Sequence, residues 1–288
     1  MRSILPILTV VLAIVCVWYL AAVRMNATWV HDQAARAGQE VTLSQVIPLT
    51  LNQERPVLPA PHQVVKGLWD GVTGQAVTSK RSLVYHGWVT LSATLLGFVI
   101  GTAAGILLAV GIVHNRAMDQ SVMPWAIASQ TVPILAIAPM IIVVLNSMGV
   151  TGILPKAIIS AYLSFFPVVV GMVKGLRAPD AMQLDQMRTW SASDAQTLWK
   201  LRLPASMPYL FASLKVGIAA SLVGTIVGEL PTGAVAGLGS RLLSGSYYGQ
   251  TVQIWAALFA AAIVAASLVA IIGWIERGTL RRMGMAAR

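Results

Sequence analysis

Apolar runs long enough to cross a membrane alternate with short polar turns along most of this chain. Residues 4–23 carry no charged side chain and lie between Arg2 and Arg24. Further runs cover roughly residues 88–113, 122–145, 153–173, 209–227 and 252–275. A hydrocarbon core about 30 Å thick takes about 20 residues of helix, so the pattern predicts an all-α membrane protein with six transmembrane helices. The first run exceeds the apolar stretch of a secretory leader, about 7 to 15 residues, which favours an uncleaved span over a cleaved signal peptide.

Residues 24–80 break the pattern. Asp32, Arg36, Glu40, Glu54, Pro56, Pro59 and Pro61 interrupt any long apolar run there, so an extracytoplasmic segment is expected. Inside it, Leu58-Pro59-Ala60-Pro61 sets a turn into a short amphipathic helix that carries Val64, Val65, Leu68 and Trp69 on one face and lies on the membrane surface. The expected division is therefore an N-terminal transmembrane helix (1–24), an extracytoplasmic segment (25–80) and a core of five transmembrane helices (81–288).

Two runs have internal structure of their own. The second places Ala93, Gly97, Gly101, Gly105 and Ala109 at a spacing of four. A stripe of small residues lets a neighbouring helix approach closely, as membrane helices need when no hydrophobic force drives them together. The third contains Pro124, Pro133 and Pro139. Proline removes a backbone donor, and the freed carbonyl must be satisfied by a neighbour, a hydroxyl or water. Gln130 and Thr131 bring polar groups to the same place, so Gln130, Thr131, Pro133 and Pro139 are candidates for a translocation path.

Of the 288 residues, 57% are hydrophobic and 10% charged, too few charges to cover a soluble globule. The formal charge of +10 does not indicate nucleic-acid binding, because the basic residues flank apolar runs. With six spans, Arg2, Arg116, residues 174–202 and the arginine-rich tail fall on one side. The positive-inside rule makes that side cytoplasmic, with both termini there. The single cysteine, Cys16, lies within the first run and offers neither a disulfide nor a metal site.

Chemistry on the chain itself is sparse. No Gly-x-x-x-x-Gly-Lys-Ser/Thr loop exists, so any ATP hydrolysis belongs to a partner. Ser246 and His86 do not make a nucleophile elbow with its base. Glu229, Lys156 and Lys215 sit toward span ends, where Lys215 can snorkel, and form no obvious ionisable relay of the sort a proton-driven carrier needs.

The informative polar stretch is the insert 174–206. Asp185-Gln186-Met187, then three residues to Ser191, then nine to Leu201-Arg202-Leu203-Pro204, resembles the cytoplasmic loop by which permeases of binding-protein-dependent ABC importers engage their ATPase. In that loop the family carries Glu-Ala-Ala, glycine and a closing Leu-Pro. Over roughly residues 58–282 the chain is similar to the nitrate, sulfonate and taurine group of these permeases: Leu58-Pro59-Ala60-Pro61, Thr90-Leu91, Gly97, Gly105, Pro133, Pro139, Gly175-Leu176-Arg177, Leu203-Pro204, Glu229 and Gly237-Leu238-Gly239 follow in the family's order. Asp185, Gln186, Met187 and Ser191 depart from its letters. Glycine at position 191 would permit a left-handed turn. Ser191 or Ser193 would more naturally cap a second helix over residues 194–201, so the loop is expected to keep two helices with an altered corner.

The resemblance implies a type I ABC importer permease. Its partners would be a cytoplasmic ATPase dimer that binds the ATP and Mg, an extracytoplasmic solute-binding protein and a second permease copy, with no cofactor or metal on this chain and no catalysis of its own. The coupling surface would comprise Asp185, Gln186, Met187, Trp190, Ser191, Leu203 and Pro204. The solute would come from the nitrate, sulfonate, taurine or pyrimidine-like heterocycle class. The alternatives are a secondary transporter or channel, and a membrane scaffold.

Overall fold

The computed structural model describes residues 4–38, 41–230 and 236–285, and among these there are helices and turns but no strand. The chain divides into two compact units, one of Met1–Gly87 with Ser240–Ala261 and one of Trp88–Gly239 with Ala262–Arg288.

In the first unit, α1 (Ile4–Arg36) runs beyond Arg24, where the sequence suggested an end. Residues 25–36 contain neither glycine nor proline, so nothing stops the helix until Gly38, at φ +66°. Helices α2 (Leu43–Leu51) and α3 (Pro61–Thr73) follow. Asn26, fully buried on α1, ties them down. Its Oδ1 accepts the N–H groups of Val57 (2.8 Å) and Leu58 (3.2 Å), and its Nδ2 donates to the Leu58 carbonyl at 2.9 Å. Trp18 Nε1 donates to the Pro59 carbonyl at 3.0 Å. The proline-rich stretch, which cannot hydrogen-bond to itself as a helix would, is thus strapped to α1 by side chains.

Helix α3 is packed on one side only. Val64 is buried at 3% exposure, whereas Val65 and Trp69 stand 66% and 68% exposed. Gly67 and Gly71 decide which side packs. A Cβ on Gly67 would come within 2.9 Å of Val252 Cγ1, and one on Gly71 within 2.5 Å of Leu83 Cδ1.

Helix α4 (Leu83–His114) belongs mainly to the second unit, with α5 (Arg116–Ser129), α6 (Ile134–Ser147) and α7 (Ile153–Leu176). After the short α8 (Ala181–Thr189) and α9 (Asp194–Thr197), a π-turn (Leu198–Arg202) leads into α10 (Leu203–Glu229). Helices α11 (Leu238–Tyr247) and α12 (Thr251–Arg282) complete the described chain. Ala93, Gly97, Gly101, Gly105 and Ala109 are all buried. The three glycines lie against α7, where an added Cβ would meet the carbonyls of Ala157 (2.5 Å), Ala161 (2.7 Å) and Phe165 (2.9 Å) in turn. Ala109 joins a cluster with Ile112, Val168, Val169, Met172, Val173 and Leu176. α7 also packs against α10, where Gly224 sits so close that a Cβ would reach Ser160 Cα at 2.9 Å.

By length and apolarity five stretches can cross a membrane: α1, α4, α7, residues 194–229 and α12. The proline-rich third run, for which the sequence left a broken and a kinked helix open, is broken. It forms α5 and α6, bent by 99°, and neither 14-residue helix, about 21 Å long at 1.5 Å per residue, spans the core alone. Counted together as one broken span, the bent pair would bring the number to six; by the same measure it is a re-entrant loop if both ends return to one side. Pro133 explains the break. Its nitrogen cannot donate to the Ser129 carbonyl one turn back, and Tyr162 of α7 donates its hydroxyl to that carbonyl instead.

Candidate functional site

The insert between α7 and α10 is built from local capping. Asp180 caps α8, with its carboxylate accepting the Gln183 N–H at 2.8 Å and the Gln183 side chain accepting the Asp180 N–H in return. At the far end Ala192 N–H bonds to the Met187 carbonyl (3.0 Å) and Ser191 N–H to that of Arg188 (2.8 Å). This paired pattern ends a helix through one left-handed residue. Ser191 is that residue, at φ +51°, the only positive φ outside glycine among the described residues. Ser193, not Ser191, caps the next helix, by accepting from Gln196 N–H at 3.3 Å.

The corner therefore keeps its left-handed turn without the glycine. The strain costs about 1 kcal/mol at an L-residue. Ser191→Gly is expected to raise the unfolding free energy by about that amount, read as an increase in Tm of a few degrees in detergent.

The second helix of the insert does not stop near residue 201 as the sequence suggested. Helix α9, the π-turn and α10 form one continuous stretch over residues 194–229. Pro204 accounts for the π-turn, because it can neither donate to Lys200 nor let its ring approach that carbonyl. The Leu203 N–H accordingly reaches five residues back to Leu198. Leu203 and Pro204 are thus half-buried inside a helix, whereas Asp185, Gln186, Trp190 and Ser191 are exposed around the corner. Asp185 pairs with Arg188 at 3.0 Å, and Trp190 is 66% exposed. Met187 differs from its neighbours by pointing inward, at 9% exposure.

The insert rests on a firm base. Leu198 and Leu203 pack against the cluster shared by α4 and α7, as do Met118 and Val122 of α5. Arg202 donates to the Leu176 carbonyl at 2.9 Å, and Arg177 pairs with Asp119 of α5 at 2.9 Å. The end of α7, the π-turn and the start of α5 are therefore joined by packing and by charge. At the other end of α5 lie the path candidates. Gln130 and Thr131 are exposed at the break, Pro133 is the N-cap of α6, and Pro139 sits half-buried within it. Thr131 spends its hydroxyl on the Ala128 carbonyl at 2.7 Å.

Two polar arrangements escaped the sequence reading. The fully buried Glu229 receives the Thr90 hydroxyl (3.0 Å) and the Gly239 N–H (2.8 Å), with the Lys156 ammonium at 3.8 Å. Thr90 in turn accepts the Leu238 N–H at 2.8 Å, and Lys156 donates to the Ala236 carbonyl at 3.2 Å. The carboxylate thus clasps α4, α7, α10 and the start of α11. Gly237, at φ +133°, lies where any side chain would overlap that carboxylate. A ladder of hydroxyls continues inward: Thr94 donates to Thr225 (3.0 Å), Ser221 to the Thr94 carbonyl (2.9 Å), and Ser160 meets Ser221 (2.5 Å). The second arrangement is an ion pair between Lys215 and Glu276 of α12, so Lys215 is neutralised by a neighbour and does not simply snorkel. The only signal in sequence was the presence of opposite charges in two different spans.

Comparison with known proteins agrees with this architecture. Residues 101–284 match the family described as "Binding-protein-dependent transport system inner membrane component". The chain is 28% identical over 225 residues to the riboflavin transport system permease protein of Chloroflexus aurantiacus, covering 78% of this chain and 80% of that one. It is 28% identical over 184 residues to the formylaminopyrimidine transport permease protein of Halalkalibacterium halodurans, covering 64% and 68%. To the putative aliphatic sulfonates transport permease protein of Bacillus subtilis it is 24% identical over 225 residues, covering 78% of each. In fold it is similar to the MetNI methionine ABC transporter in an inward-facing form, with a TM-score of 0.50 at 18% identity over 77% of this chain and 96% of that one. With the family matched across most of the core, from α4 to the end of α12, the chain belongs to the inner-membrane permease components of binding-protein-dependent ABC importers.

Proposed function

We propose that the insert 174–206 docks a cytoplasmic ATPase dimer, which holds the ATP and Mg, and that two copies of this chain enclose a path for a small solute delivered by an extracytoplasmic binding protein. Both termini are then cytoplasmic. One observation carries this reading: α8 and its corner present Asp185, Gln186 and Trp190 outward while Met187, Leu198 and Leu203 anchor the insert inward. A surface that is exposed, bears an aromatic anchor and is held rigidly from behind suits a partner whose movement must be transmitted. Displacement of the insert would reach α5 through Met118, Val122 and the Arg177–Asp119 pair, and so the break at Gln130 to Pro133.

For the solute we favour a neutral or zwitterionic molecule of the pyrimidine-like heterocycle class over an oxyanion. The path candidates include no arginine, and two of the relatives named above are permeases for heterocycles. Uptake of nitrate or a sulfonate, with heterocycles ignored, by transporter reconstituted with its binding protein would remove that preference.

The docking reading is tested by co-purifying the tagged chain with a candidate ABC ATPase from the same organism and assaying ATP hydrolysis in lipid. Gln186→Arg with Trp190→Ala is the informative variant, since both side chains are exposed and the fold does not depend on them. A loss of about 2 kcal/mol or more is expected, as for an interface anchor, which is roughly thirtyfold in affinity. An unchanged complex, or solute uptake without any ATPase, contradicts the reading and favours a secondary carrier.

A further inference from the structure

The geometry points to a site for the headgroup of an anionic phospholipid on the last turns of α12. Residues 251–275 carry no charged side chain, and Glu276 and Arg277 end that run. At 1.5 Å per residue, Arg277, Arg281 and Arg282 lie about 3 to 11 Å beyond Ile275. That is the depth of the headgroup layer, roughly 5 to 8 Å thick on each side of the hydrocarbon. Trp274, 70% exposed at the boundary, is the residue type that settles at a membrane interface.

Trp274, Arg277, Gly278, Arg281 and Arg282 follow the spacing of one helix face, and all five are exposed. The positive charge on this face is uncompensated. Its neighbouring carboxylate, Glu276, is taken by Lys215 of α10, and among the described residues none of the three arginines takes part in an ion pair.

Gly278 separates a shaped site from a merely basic tail. A Cβ there would meet nothing within 4 Å, so no neighbouring helix requires a glycine, although glycine weakens a helix interior. Its missing side chain leaves a notch between Trp274, one turn before, and Arg282, one turn after. A lipid phosphate can approach the helix in that notch and meet the guanidinium forks, with the acyl chains along Trp274 and the exposed Ile271. A second copy of the chain is a poor occupant, because a symmetric contact would bring the same three positive charges together.

The site needs neither the ATPase nor the solute, so it is tested on the purified full chain in detergent. Native mass spectrometry with dioleoyl phosphatidylglycerol and dioleoyl phosphatidylcholine reads the affinity of each lipid. An arginine beside an anionic lipid contributes roughly fivefold, so phosphatidylglycerol should bind about tenfold or more tightly than phosphatidylcholine. Arg277→Gln with Arg281→Gln and Arg282→Gln should remove that preference and leave phosphatidylcholine as it was, which also verifies that the variant is folded. Gly278→Leu fills the notch while keeping every charge, and should weaken phosphatidylglycerol roughly fivefold, an effect that a diffuse basic surface would not show. Equal affinity for the two lipids overturns the proposal, as does a preference that survives the triple substitution or an affinity unchanged by Gly278→Leu. Displacement of phosphatidylglycerol by millimolar glycerol phosphate would overturn the lipid as the ligand and put a soluble phosphate ester in its place.

Discussion

Glu229→Ala is expected to destabilise the protein by about 3–5 kcal/mol, the range for removing one partner of a buried charge pair. In detergent this should appear as a fall in Tm of about 10 °C. Interhelical hydrogen bonds in membrane proteins average only about 0.6 kcal/mol, so the larger figure needs a reason. The substitution leaves the Lys156 ammonium with the Ala236 carbonyl but no counter-charge, and the Gly239 N–H and the Thr90 hydroxyl lose their acceptor together. Gly237 and Gly239 bring bare backbone against the carboxylate and offer no side chain to replace it. Glu229→Gln keeps the shape and one acceptor and should fall between the two. Adding Lys156→Met to Glu229→Ala should recover part of the loss, since the orphaned charge is then gone. A Tm within 2 °C of the native value for Glu229→Ala would mean that the clasp contributes nothing to stability.

Gly101→Leu is the other large effect. An added Cβ at this position already meets the Ala161 carbonyl at 2.7 Å, and that carbonyl belongs to the backbone of α7, which cannot rotate aside. A leucine must therefore separate α4 from α7. The cost of overpacking is about 1–3 kcal/mol where side chains can adjust, and the upper end is expected here. The separation would also pull Ala109 and Ile112 away from the cluster that supports the insert, so ATPase activity of the assembled transporter should fall with stability. Ala103→Leu, on the exposed side of α4, is the control and should lie within about 0.5 kcal/mol of native. Equal effects from both substitutions would show that the small-residue stripe has no special packing role.

Much of the architecture was legible because membrane spans are dictated by local composition. Twenty apolar residues must be helical in lipid, whatever their neighbours, since each backbone group needs an internal partner. The same locality narrowed the cap to Ser191 or Ser193 and made Pro133 readable as a break. What the break would become was not readable. A proline removes one hydrogen bond, and whether the result is a kink or a 99° bend depends on who satisfies the carbonyl; here that is Tyr162, 33 residues downstream. Ser191 is similar: its side chain argues for a cap, but the carbonyls of Met187 and Arg188 hold its backbone in the left-handed region.

The sequence by itself determined the membrane class, the order of the apolar runs, the four-residue stripe of small side chains and the polar insert with its family resemblance. Each of these rests on interactions between residues within a few turns of one another. The tertiary structure alone decided that Met187 turns inward, that the insert's second helix runs into α10, that Lys215 pairs with Glu276, and that Glu229 meets Thr90 across 139 positions of chain. These depend on which helices pack together. A charge or hydroxyl in a span acquires a partner only when another helix brings one, and no local pattern specifies which helix that will be.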